Sequence, residues 1–183
     1  MRGRLSFCFL SLVFLLCFIL LASVGCTKKE NAPLVFQRQG WVSDYADALK
    51  PEEKSRISQE LEAYEKETCH QIYLLIIPSL AGENITDFSQ RTAAAWKIGQ
   101  TGLDNGFLIT IAMQERNIRI EATSAFEWFI QNGTGEKILR EEVIPLFREN
   151  RFVDGIERGL KEIMKAGRLK LIPDDLKPDI CRH

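Results

Sequence analysis

The sequence predicts an α/β sandwich of three layers, with a mixed central sheet of three to four strands flanked by helices. Three observations carry this. Ile72–Ile77 and Phe107–Met113 are near-continuous apolar runs rich in β-branched residues, the signature of strands buried on both faces. Asn117–Glu121 alternates polar and apolar residues, as a half-exposed strand does. Amphipathic stretches at 51–67 and 87–98 precede and separate the two apolar runs, an order that implies parallel strands joined by a right-handed helical crossover.

Each element has its own warrant. Pro51 suits the first turn of a helix, and Glu52 and Glu53 suit its positive end. Ile57, Leu61 and Tyr64 then fall on one face, at spacings of four and three. Pro78 closes the first apolar run. Phe88, Ala95 and Trp96 give the second helix its apolar positions, and Asn84 is placed to open it. A loop with three glycines and Asp104-Asn105 leads into the second run. Residues 114–116 form the turn of a hairpin, so the third strand runs antiparallel to the second. Phe126–Ile130 reads as a short helix, and 136–149 and 152–165 as longer ones, with Pro145 kinking or ending the first of these. Gly133-Thr134-Gly135 starts a helix; it lacks the spacing of a phosphate loop. Trp41, Trp96 and Trp128 read as packing at the edge of the core, and His70 as a solvated or capping residue.

The amino terminus sets the compartment. Arg2 and Arg4 precede an uncharged run from Leu5 to Gly25, which ends in Ala22-Ser23-Val24-Gly25-Cys26. This has the form of a bacterial lipoprotein signal, with Cys26 as the lipid acceptor, although Ser23 stands where a leucine is usual. About twenty apolar residues also suffice for an uncleaved membrane anchor. The expected organisation is a signal peptide at 1–25, a lipidated terminus and tether at 26–39, a domain at 40–168 and a loose tail at 169–183. The mature protein would then be extracytoplasmic, held at the cell membrane or outer membrane by its lipid.

Composition excludes several functions. The net charge of −1 becomes −3 once the two cations of the leader are gone, which leaves no basic face for nucleic acid. With two histidines in the chain, a His-rich zinc site is ruled out. Of five cysteines, Cys8 and Cys17 lie in the leader and Cys26 would carry lipid. Cys69 and Cys181 remain as a pair that an oxidising compartment would allow to bridge. Spacing leaves a second reading open, a buried Cys69 with a thiol at Cys181.

A set of ordered motifs runs through the domain: V-S-D-Y-A-D-A-L at 42–49, W-K-I-G at 96–99, D-N-G-F-L-I-T-I-A at 104–112, R-N-I-R-I-E at 116–121, V-I-P-L-F at 143–147 and N-R-F-V-D-G-I at 150–156. In content and order they resemble the TPM-domain family, which includes bacterial envelope proteins and a plant thylakoid-lumen protein linked to photosystem II repair. The resemblance implies divalent-cation binding, calcium in some members, and a weak acid phosphatase activity in the plant branch. Other members support membrane protein complexes. The chain departs from the family pattern at Ala122-Thr123-Ser124-Ala125, where a glycine-rich turn is usual, at Gln131-Asn132-Gly133, where an aspartate is usual, and at Lys50, where a serine cap is usual.

The candidate metal ligands are Asp44, Asp104, Asn105 and Glu121, hard oxygen donors suited to Ca2+ or Mg2+. Strand order places Asp104 and Asn105 beside 121–124 at one end of the sheet. Asp44 joins them only if 44–50 run back along the domain. Read without the resemblance, Asp-Asn-Gly is a common turn sequence. No nucleophile motif of a phosphatase is present, so such activity would have to be metal-assisted and weak, and no catalytic residue is assigned. The expected role is a membrane-tethered accessory or binding module that assists a membrane protein complex. A weak metal-dependent phosphatase and a structural spacer are the alternatives.

Overall fold

The computed structural model describes residues 34–170. The leader, Cys26, the first part of the tether, and the tail from residue 171 onward, with Cys181, lie outside the described residues. Among the described residues no helix is long and apolar enough to cross a membrane.

The sheet holds four strands in the order β1 (Val42–Asp44), β2 (Gln71–Ile77), β3 (Gly106–Ala112) and β4 (Asn117–Ala122). β1, β2 and β3 are parallel, and β4 returns antiparallel to β3, with Ile109 opposite Ile120. Helix α1 (Pro51–Thr68) links β1 to β2, and α2 (Ile85–Ala95) links β2 to β3. After β4 come a 3-10 turn (Ser124–Phe126), two short helices, α3 (Glu127–Gln131) and α4 (Thr134–Ile138), a π turn (Leu139–Val143), α5 (Ile144–Arg148) and the long α6 (Phe152–Arg168).

Alternation along the strands splits the core into two layers. Ile72, Leu74 and Ile76 of β2, with Phe107, Ile109 and Ile111 of β3, pack under Ile57, Leu61 and Tyr64 of α1 and Leu160 and Ile163 of α6. Tyr73, Leu75, Ile77 and Leu108 face the other way and meet Phe88 of α2 together with Trp96 and Ile98. Both faces of β2 and β3 are therefore covered, which is why these strands read as unbroken apolar runs. The strands step in one direction across the sheet while α1 and α2 lie on opposite faces. The two crossovers consequently have opposite hands, and the right-handed rule holds for one of them.

Several boundaries move from their sequence-based positions for local reasons. α2 begins at Ile85 because Asn84 Oδ1 accepts from Thr86 N at 2.7 Å. It stops at Ala95, not Ile98, because Lys97 turns left-handed (φ 51°). Ile98 N then donates to Ala93 O and Lys97 N to Ala94 O, which closes the helix end. The helix expected over 136–149 is instead three pieces. Pro145 has no N–H to give, and the turn before it widens to the π form.

Two expectations are corrected outright. The tether does not extend to residue 39. Leu34 N donates to Glu83 Oε1 at 2.7 Å, Trp96 Nε1 donates to Phe36 O at 2.8 Å, and Phe36 packs on Tyr45 and Phe88. These six residues form a strap across α2, because the sheet face beneath has a single helix and leaves its aromatic residues to be covered. His70 is buried, not solvated: it lies edge-on to Phe126 and 3.4 Å from the Tyr64 hydroxyl. The three tryptophans pack as expected, Trp41 stacked on Tyr73, Trp96 edge-on to Tyr73, and Trp128 against Phe129.

Candidate functional site

The loop before β3 builds the end of the sheet where a site was expected. Gly99 (φ 90°) and Gly106 lie backbone to backbone; a Cβ on Gly106 would sit 2.7 Å from Gly99 N, and one on Gly99 2.8 Å from Asn105 N. Glycine is required at both by this close approach. Gly99 N donates to Gln71 Oε1 at 2.9 Å, so the loop is tied to the start of β2.

Asn105 is the knot of this end. It is 1% exposed; its Oδ1 accepts from Gln100 N at 2.8 Å and its Nδ2 donates to Cys69 O at 2.5 Å. Its side chain joins the end of α1, the loop and β3, and both polar ends are engaged. Its role is structural. Beneath it, Glu65 Oε1 accepts from Gln71 Nε2 at 2.9 Å and from Gln100 Nε2 at 3.3 Å. Cys69, fully buried and disulfide-bonded, has its sulfur 2.8 Å from Gln100 Oε1.

Asp104 is the exposed carboxylate of the end, held in a left-handed backbone (φ 45°). Its Oδ2 accepts from Ser124 Oγ at 3.2 Å, and its backbone oxygen accepts from Ala125 N at 3.1 Å and from the Thr123 hydroxyl. Thr123 also pairs with Gly106 through its backbone N and its Oγ1. The hydroxyls at 123 and 124 thus stand where the family pattern has glycine, and they fasten the β3–β4 end themselves.

The other expected ligands are elsewhere. Asp44 pairs in register with Ile76, at the carboxyl end of the parallel strands, whereas Asp104 precedes their amino end. Both of its oxygens are used there, by Ala46 N at 3.1 Å and Leu49 N at 2.9 Å, which shapes the turn into α1. Glu121 lies opposite Leu108 on β4, and its Oε2 is bound by Arg119 Nη2 at 2.7 Å. Among the described residues no group of three His, Cys, Asp or Glu is gathered to hold a metal. Calcium takes six to eight oxygens. Asp104 with Ser124 offers too few, and the four-residue set read from the sequence does not fit the ion. Among the described residues no nucleophile stands against a base at this end.

A concavity lies on the other side of the sheet from the strap. A groove of 790 Å³ runs between α1, the π turn, α5 and α6. Pro145 and Leu146 give it an apolar floor, and Arg56, Glu142, Asp154, Glu157 and Arg158 ring it. Arg158 binds Glu142 at 2.7 Å, Arg151 binds Asp154 at 2.8 Å, and Arg56 binds Glu157. Hydrogen bonds and charge from these acids raise the pKa of Arg56, Arg151 and Arg158. The sharing of one groove by these charges depends on the packing of α6 against α1, for which no short-range signal exists.

Comparison with known proteins places this geometry. The chain aligns with three solved bacterial domains at identities that speak for the fold alone. The N-terminal domain of a P. gingivalis protein is 22% identical with a TM-score of 0.64, over 72% of this chain and 85% of that one. The BA42 protein of the psychrophile Bizionia argentinensis is 18% identical with a TM-score of 0.62, over 73% and 92%. The N-terminal domain of the cg2496 protein of Corynebacterium glutamicum is 12% identical with a TM-score of 0.56, over 74% and 85%. A search among curated proteins found no match. The TPM-domain family model matches residues 42–166, which takes in every strand and all but the end of α6. With the Asp-Asn-Gly and Trp-Lys-Ile-Gly segments meeting at the sheet end as described, the chain belongs to the TPM-domain family.

Proposed function

We propose that the chain is a membrane-tethered accessory module of the cell envelope, which engages a membrane protein complex through the groove between α1 and α5–α6. One observation carries the reading. The first described residue, Leu34, is fastened on the α2 face by Glu83, while the groove occupies the α1–α6 face on the other side of the sheet. Fixed charges of both signs on long helices suit recognition of a protein surface with a matching pattern. The test is crosslinking and pull-down from membranes. The wild-type chain is expected to capture a defined membrane protein that an Arg158→Glu, Arg56→Glu double variant loses. Capture that is absent, or equal for both chains, overturns the reading.

Dependence on calcium and weak phosphatase activity are both less well supported, because among the described residues no three metal-binding side chains are gathered around Asp104 or elsewhere. Calorimetry is expected to show no calcium or magnesium site tighter than about 1 mM, the weak end of the range for oxygen sites. Hydrolysis of p-nitrophenyl phosphate should match that of an Asp104→Ala control. A tight site or a clear difference from the control would restore the enzymatic reading.

A further inference from the structure

The geometry points to a covalent tie at the carboxyl terminus: the disulfide partner of Cys69 is Cys181. Cys69 is disulfide-bonded, and it is the only cysteine among the described residues. Its partner is therefore Cys8, Cys17, Cys26 or Cys181. On the export reading above, Cys8 and Cys17 leave with the signal peptide and Cys26 carries lipid on its sulfur.

A second line of argument is independent of export. α6 delivers the start of the tail to Cys69. Arg168 Nη2 binds Glu67 Oε2 at 2.7 Å, and Gly167 packs so closely on Tyr64 that a Cβ there would meet the phenol oxygen. Lys170 Nζ donates to Ala125 O at 2.5 Å, Ala125 N to Asp104 O at 3.1 Å, and Asn105 Nδ2 to Cys69 O at 2.5 Å. The last described residue and Cys69 thus border the same loop. Cys181 follows Lys170 by eleven residues, a reach of up to about 36 Å when extended. That is ample for segments already joined through direct hydrogen bonds. Formation of the bond removes two protons and two electrons from the thiols, and a disulfide-donating oxidant of the envelope is reduced to its dithiol.

Peptide mapping without reduction tests this on two samples of the full chain. One is made with its own leader and taken from the envelope with thiols blocked. The other is reduced, refolded in detergent and oxidised with glutathione disulfide. Both are expected to yield one cross-linked pair carrying Cys69 and Cys181, and Cys181→Ser should leave Cys69 open to alkylation on denaturation. Cys69 joined to Cys8, Cys17 or Cys26, or left as a thiol in the glutathione sample, overturns the pairing. A cross-link in the glutathione sample with thiols in the envelope sample upholds the pairing and overturns the export reading.

Discussion

The two faces of the sheet are covered by different means. On one, α1 and α6 lay two long helices side by side over Phe107, Ile109 and Leu74, and the layer draws in Phe126, Phe129 and Val143 from the elements between. On the other, α2 is a single helix of eleven residues, and Leu34, Phe36, Trp41 and Tyr45 complete the cover. The difference shows why residues 34–39, ahead of the family match that begins at 42, still pack in this chain. A face with one helix needs the strap before β1, so residues that look like linker are part of the fold.

Truncation should separate the two faces most sharply. Phe107→Ala removes a fully buried ring that touches Phe126 and Phe129, at a cost of about 3–5 kcal/mol. Phe36→Ala, on the half-buried strap, should cost about 1–2 kcal/mol. Urea unfolding with equal m-values compares them, and equal losses would show that the strap is as integral as the core.

Alkali should act on both faces, on the strap face through Tyr73, whose pKa burial raises, and on the α1–α6 face through Tyr64. Burial pushes the Tyr64 hydroxyl from 10.0 up to about 12, so the fold favours its protonated form. That contribution is complete below pH 10 and is lost as pH rises through about 12, for roughly 2–3 kcal/mol. Denaturation midpoints at pH 9 to 12 should fall for the wild type and stay flatter for Tyr64→Phe.

Acid should act on the strap face, with the smallest effect. Desolvation raises the Glu83 carboxyl, but the Leu34 N–H and Arg91 outweigh it, and its pKa lies below 4.5. Its support for the strap is present above pH 4.5 and fades as pH falls through the lowered value. Hydrogen exchange at residues 34–38 should quicken there, and Glu83→Gln should show the faster exchange already at pH 7.

Much of the frame was legible in the chain. Ile72–Ile77 and Phe107–Met113 read as buried strands because both faces of each are covered, and Asn117–Glu121 reads as a half-exposed strand because its side chains alternate between core and margin. The site was legible only in part. Asp104 and Thr123–Ser124 do meet, since a hairpin brings the start of β3 to the end of β4. Asp44 does not join them, because parallel strands put its turn at the opposite end.

By itself the sequence determined the layers, the strand directions and the leader's chemical character, all consequences of apolar patterning over short windows. The tertiary structure alone decided that Asn105 ties rather than coordinates, that residues 34–39 pack, and that charges on α1 and α6 share a groove. Each of these depends on contacts between residues far apart in the chain, which no local pattern encodes.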